Sequence, residues 1–207
     1  MMGAKKGGMG YITDGLVLHL DGIDKGTTDT TKWVDLVGGK VFNLYNCTIG
    51  NNYVQFNGST SYGLYSGTWS CPDTTIEVIA SSLSSSIGFA YAERSGMFGA
   101  LTSSYFYFRY ATGVNNGAVA KAGLCNSANS SAAVINGVDW TTALMPSNYG
   151  GNSSAGVVCL GKRDTTSPNF FYGKIYAIRE YNRKLTVDEM IANQKIDNER
   201  FNLGLTI

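Results

Sequence analysis

Charge is scarce in this chain of 207 residues: Asp, Glu, Lys and Arg together make up 15%, and the net charge is +1. Holding nucleic acid or an anionic membrane requires a basic field, so neither is expected as a partner. Proline is limited to 3 residues and histidine to 1. No apolar run approaches the ~20 residues of a membrane span. The start, MMGAKKGGMGY, is followed by no apolar core of a signal peptide; either the chain does not use that export route or it lacks its leader. Cys47, Cys71, Cys125 and Cys159 lie far apart with no C-x-x-C pair. That spacing argues against zinc, and without a leader it favours free, buried thiols over two disulfides.

What is abundant is glycine, at 26 residues, together with Ser, Thr, Asn and Tyr. Short strands joined by tight turns produce such a composition. Leu16, Leu18 and Leu20 alternate with Val17 and His19, giving a strand with two usable faces. His19 has no Ser, Cys or second His beside it in sequence, so it reads as a packed residue. Val41 to Tyr45, Tyr53 to Phe56, Tyr62 to Tyr65 and Thr74 to Ala80 read as strands, and Ser81 to Ser86 as a serine-rich loop. Ile87 to Glu93, Met97 to Leu101 and Tyr105 to Tyr110 form a meander, and Val157 to Leu160 is a short apolar strand. Asn57-Gly58, Asn116-Gly117 and Asn136-Gly137 are hairpin-turn signals. The expectation is an all-β fold, a two-sheet antiparallel β-sandwich or jelly roll, with a short C-terminal helix. Residues 1–12 read as a flexible, basic, glycine-rich arm and 13–207 as one domain.

The stretch from Phe170 to Phe201 joins a strand, a polar turn and a helix. Thr186 stands three residues before Glu189, the capping-box spacing. Val187, Met190 and Ile191 follow at helical spacing, and Ile196 falls off that stripe, so the helix is expected to end or bend near Gln194. Ile175 and Ile178, three apart, cannot both face one side of a regular strand. Cover on both faces, with the helix against one of them, is expected in preference to a bulge.

DGLVLHLDGID, KWVDLVG, YVQFNGSTSYG, VINGV and LGKRDTTSPNFFYGKIYAIREYNRKLTVDEM resemble, in this order, laminin-G-like, concanavalin A-like jelly-roll domains. The closing piece, F-x-G-K-I followed by a strand and Y-N-R-x-L-T-x-x-E, is the most specific. The resemblance implies two curved antiparallel sheets with the chain ends close together. The family covers non-catalytic glycan-binding, adhesive and structural modules, with glycoside hydrolases as distant relatives, so fold leaves function open. Domains of this length with a short basic start are found in bacteriophage particle proteins. The resemblance therefore implies a virion structural or display module, anchored to other subunits through the N-terminal arm.

Glycoside hydrolysis requires two carboxyl groups across a cleft. Laminarinase-like relatives carry E-x-D-x-x-E on one strand, whereas Glu77 in TTIEVIA has Ile79 and Ser81 at i+2 and i+4. Asp188 and Glu189 suit the first turn of a helix, and turn or cap roles account for Glu180 as well. No catalytic residue and no cofactor is expected. Asp21, Asp24 and Asp29 share a loop but lack a recognised calcium pattern, so no metal is expected. Glycan binding would use aromatic faces. In YFYFRY, Tyr105, Tyr107 and Arg109 share one face and Phe106, Phe108 and Tyr110 the other. With the phenylalanines inward, Tyr105, Tyr107 and Arg109 face out toward a sugar or protein partner, and Asn148 and Tyr149 could border them. Trp33, Trp69 and Trp140 read as packing residues. The function expected is a non-catalytic structural or display protein of a virus particle. The alternative is a glycan- or receptor-binding adhesion module at the cell surface or outside the cell, with a glycoside hydrolase the remote one.

Overall fold

Alternation of apolar and polar side chains drives the chain into short strands, and the computed structural model describes residues 10–67, 75–92, 98–109, 116–146, 158–163 and 169–207. Strands β1 (Leu16–Asp21), β2 (Lys32–Val34) and β3 (Val41–Tyr45) come first. In β3, Phe42 and Leu44 are buried while Val41, Asn43 and Tyr45 are exposed. The next strands are β4 (Thr48–Ile49), β5 (Val54–Asn57), β6 (Tyr62–Tyr65) and β7 (Thr75–Ser82). A meander follows in β8 (Gly88–Ala92), β9 (Phe98–Leu101), β10 (Phe106–Arg109) and β11 (Asn116–Val119). The chain continues through β12 (Cys125–Ala128), β13 (Ala133–Ile135), β14 (Val138–Asp139), β15 (Leu144–Pro146) and β16 (Val158–Leu160). It closes with the long β17 (Tyr172–Tyr181) and the one α-helix among the described residues, α1 (Val187–Phe201).

These strands make two antiparallel sheets, as the sequence leads one to expect. One runs β14-β13-β12-β7-β17-β5-β4, with β1 also paired to β17; the other runs β15-β11-β10-β9-β8-β16-β6-β3-β2. Between them lies the core, in which Trp33, Phe42, Phe56, Phe106, Phe108 and Phe171 are fully buried. Trp140 packs half-buried at its margin. Burial of such aromatic side chains is the main source of stability here.

Several local expectations change. Asn116 and Gly117 belong to β11, paired with Arg109 and Phe108, rather than to a turn. Asn136 and Gly137 do form one, with φ of 50° and 76°, the positive pair that a two-residue hairpin needs. Ser81 and Ser82 extend β7 instead of opening a loop. Cys47, Cys125 and Cys159 are free thiols, while Cys71 and Trp69 lie outside the described residues. Of the expected arm, residues 1–9 lie outside the described residues, and Tyr11 and Ile12 are joined to the body.

β17 resolves the spacing of its isoleucines by a bulge between Ile175 and Ala177, so both Ile175 and Ile178 enter the sandwich core. The preference for cover without a bulge was therefore wrong, although the helix does cover the opposite face. There Ala177 packs with Phe201, and Tyr181 with Met190 and Leu185. Glu180, facing the interior, accepts a hydrogen bond from the Tyr91 hydroxyl at 3.0 Å, so it has no turn role.

The helix does not stop at Gln194. Its buried stripe is Met190, Asn193, Gln194, Asp197 and Phe201, which is helical spacing written largely in polar residues. Beneath it runs a cross-strand row: His19 opposite Arg179, Arg179 opposite Glu77, Glu77 opposite Ser127, Ser127 opposite Val134. Arg179 donates to Glu77 at 2.7 Å and grips both carboxylate oxygens of Asp197, with its guanidinium 4.3 Å from the centre of the Tyr11 ring. Asn193 donates to Glu77 at 3.0 Å and to the Tyr181 hydroxyl at 2.9 Å. Gln194 donates to Ser127 at 2.8 Å and to the Val134 carbonyl at 2.9 Å. The capping box at Thr186 and Glu189 is present, and Arg183 holds Glu189 at 2.7 Å.

Removing one partner of such a buried ion set leaves the others uncompensated. Arg179→Ala should lower unfolding free energy by about 3–5 kcal/mol, and Asn193→Ala by about 1–3 kcal/mol. Urea denaturation measures both. The pKa of His19 is lowered from 6.5 to about 4, chiefly by burial and then by Arg179 and Arg200, with Asp21 and Asp35 opposing. The unfolded chain binds this proton near 6.5 and the folded one only near 4, so the contribution is complete above 6.5 and is lost as pH falls toward 4. It should amount to about 3 kcal/mol. His19→Gln should flatten the stability profile over that interval, as read by urea midpoints at a series of pH values.

Candidate functional site

α1 covers the outer face of the first sheet around β7, β12, β13 and the end of β17; the outer face of the second carries the candidate surface. Phe106 and Phe108 are fully buried, so the alternation of β10 turns Tyr107 outward, as expected from sequence. Tyr105, 38% exposed, stacks on Tyr107 with ring centres 5.7 Å apart. Tyr107 itself is half-buried. It packs with Ile87 against an outer apolar cluster of Phe89, Ala92 and Ala100, in register with Ala100 and, through it, Phe89. The side chain of Arg109 and all of Asn148 and Tyr149 lie outside the described residues.

A second aromatic group on this face was not anticipated. Tyr45 on β3 stands directly opposite Tyr62 on β6, and their rings stack with centres 4.7 Å apart and planes 21° apart. Tyr45 is 42% exposed. The Lys162 ammonium, just beyond β16, sits 5.0 Å from the centres of both the Tyr62 and Phe170 rings. Aromatic faces and a cation over a ring are attractive contacts when water is partly excluded. Alternation in VFNLY already turned Tyr45 outward. Its meeting with Tyr62 depends on which strands pair, and no local pattern states that. The two tyrosine groups stand on β10 and β6, four strand spacings or ~19 Å apart.

The carboxylates are engaged elsewhere. Asp21 accepts from the Ile23 and Asp24 N–H groups and from Arg200 at 2.7 Å, and these hydrogen bonds hold its pKa below the usual range against burial, which would raise it. Asp24 accepts from Gly26 N–H at 3.1 Å, and Asp29 pairs with Lys32 at 2.6 Å. These three acids thus serve three separate turns. Asp35 accepts from His19 N–H and Gly38 N–H, both at 2.9 Å, and from Lys40 at 3.0 Å. Glu77 is wholly buried; desolvation raises its pKa, and Arg179 opposes that rise. Among the described residues, no group of three or more His, Cys, Asp or Glu residues converges as a metal site would require.

The chain matches no protein-family model and no curated protein. Among solved structures it is similar to a Trypanosoma rangeli sialidase in complex with sialic acid, at 13% identity and a TM-score of 0.54, over 90% of this chain and 33% of that one. Similarity to the same organism's sialidase in complex with 2,3-difluorosialic acid is 14% in identity, with a TM-score of 0.54 over 97% of this chain and 35% of that one. The binding domain of botulinum neurotoxin serotype D/C is 10% identical, with a TM-score of 0.51 over 89% of this chain and 52% of that one. The chain thus spans about a third of the sialidases and about half of the toxin domain. At such identities the likeness is one of fold, the two-sheet β-sandwich.

The contrast between surface tyrosines and core phenylalanines is measurable. Tyr45→Ala should cost at most about 1 kcal/mol, the loss of one cross-strand pair. Phe106→Ala should cost about 3–5 kcal/mol. Equal losses in urea denaturation would mean that Tyr45 is not a surface residue.

Proposed function

We propose that the chain is a non-catalytic, adhesive β-sandwich module that binds glycan on the outer face of its nine-stranded sheet. The observation that carries this reading is the exposed Tyr45–Tyr62 stack beside Lys162. A pyranose ring presents a C–H face to an aromatic plane and hydroxyls to neighbouring polar groups, and tyrosine offers both kinds of contact at little cost in side-chain entropy. The Tyr105–Tyr107 stack is a second contact point on the same face. Neighbours of the same fold include a sialidase in complex with sialic acid and a toxin binding domain, which supports a binding role by analogy of fold alone. The non-catalytic part rests on the acids: Asp21, Asp35, Glu77, Glu189 and Asp197 each serve a turn, a cap or an ion pair.

The setting we propose is a virion or comparable surface assembly, with residues 1–9 as the attachment. Tyr11 and Ile12 are bonded to Asp197 and Asn193, so the chain enters the body beside α1, on the side away from the tyrosines. Anchorage and adhesion would then use opposite faces. Capsid or tail genes beside this one would support that setting, and a cluster of polysaccharide-degrading enzymes would oppose it.

A glycan array tests the binding role. Wild type should capture a defined set of glycans; Tyr45→Ala and Tyr107→Ala should weaken capture about tenfold or more, a loss of ~1.4 kcal/mol. Tyr172→Ala, equally exposed on the other sheet, should leave capture unchanged. Capture by none, or capture indifferent to both variants, would contradict the reading.

A further inference from the structure

At one end of the sandwich, a cleft of about 350 Å³ opens between the two sheets. That volume falls in the range of small-molecule sites, roughly 300–1,000 Å³. Its apolar lining includes Leu101, Leu124 and Leu205, and its polar lining includes Ser81, Ser103 and Asn136. Among the described residues, no titratable side chain lines it.

The walls are held in place by bonds that the strand ladders do not require. Asn136, at the hairpin turn, accepts the Cys125 N–H on Oδ1 at 2.9 Å. That donor fixes which way the amide points, so Nδ2, which makes no hydrogen bond among the described residues, is left as a donor. Gly123 makes room for this amide: a Cβ there would lie 2.4 Å from Asn136 Oδ1. The opposite wall is Leu205, where Asn198 accepts from Leu205 N–H and donates to its carbonyl, both at 2.8 Å. A reciprocal pair of this kind fixes a chain segment that would otherwise fray. The β9–β10 turn completes the rim: the Thr102 hydroxyl accepts the N–H groups of Ser104 and Tyr105 at 3.1 Å and 2.9 Å.

An apolar lining, a fixed amide donor, serine hydroxyls and no charge together define the chemistry of the occupant. We infer that this cleft binds a single uncharged pyranose ring, its C–H face against the leucines and its hydroxyls on Asn136 Nδ2 and Ser81 Oγ. An anionic sugar or a phosphate would find no counter-charge among the described lining residues. Its rim adjoins Tyr105 through Thr102, but none of the stacked tyrosines lines the cleft, so binding there does not depend on their rings.

The test is a titration of the full chain with the methyl glycosides of glucose, galactose, mannose and N-acetylglucosamine, followed by backbone amide chemical shifts. N-acetylneuraminic acid serves as the anionic probe. At least one neutral glycoside should shift the amides of Ser81, Thr102, Gly123 and Asn136 saturably, and the acid should not. Ser81→Ala should weaken binding about five- to tenfold, as expected for one lost hydrogen bond. Ser103→Trp, a change at an exposed rim position, should close the cleft and abolish the shifts. Tyr45→Ala and Tyr107→Ala should leave them intact, which separates this site from the sheet face. No saturable shift with any neutral glycoside, shifts that persist in Ser103→Trp, or equal response to the acid would each overturn the proposal.

Discussion

A single guanidinium organises this molecule. Arg179 is wholly buried, and its ion pairs join a strand carboxylate, Glu77, to a helix carboxylate, Asp197. Burial alone would push a guanidinium toward its neutral form; the two carboxylates outweigh that and hold the Arg179 pKa above its ordinary value. Ser127 donates to the other Glu77 oxygen, Asn193 shares the Glu77 oxygen that Arg179 holds, and the Tyr11 hydroxyl shares an Asp197 oxygen with Arg179. An apolar seam of the same shape could match this one in stability. What the polar version adds is position, since a helix shifted by one residue would break the bonds that Asn193, Gln194 and Asp197 make to the strands and to Tyr11.

Much of the remaining architecture follows from that constraint. With α1 locked down, the part of the first sheet's outer face that it covers is no longer available as a surface. Both chain ends are drawn to it: Tyr11 reaches Asp197 from one side, and Leu205 is bound to Asn198 from the other. Arg200 reaches back to Asp21 and joins the helix to β1. Among the described residues, Asp21, Asp35, Glu77, Glu189, Asp197 and the lone histidine are thereby committed to structure. The neutral and aromatic groups of the second sheet's outer face and of the end cleft carry no such structural load.

The periodic parts of this account were legible in the sequence. Alternation placed Phe106 and Phe108 of β10 inside and Tyr107 outside, and Thr186 and Glu189 announced the helix start. The helix end was missed because apolar spacing was used to locate it, whereas Asn193, Gln194 and Asp197 occupy the buried stripe in a polar form. Ile175 and Ile178 showed that β17 departs from regular pleat, but the bulge that resolves them depends on its pairing with β7. Tyr45 and Tyr62 lay unremarked for a similar reason. Their contact requires β3 and β6 to pair in one register, a non-local event that no short motif encodes. Leu205 and Asn136, brought together at the cleft from distant parts of the chain, were equally out of reach.

We propose a division of faces in which the helix side is a structural seam and the tyrosine side is the recognition surface. Hydrogen-exchange mass spectrometry with and without the tightest glycan found on an array tests it directly. Binding should slow exchange around Tyr45, Tyr62 and Tyr107 and leave residues 187–201 unchanged. Protection confined to that helix, with none at the tyrosines, would contradict the account.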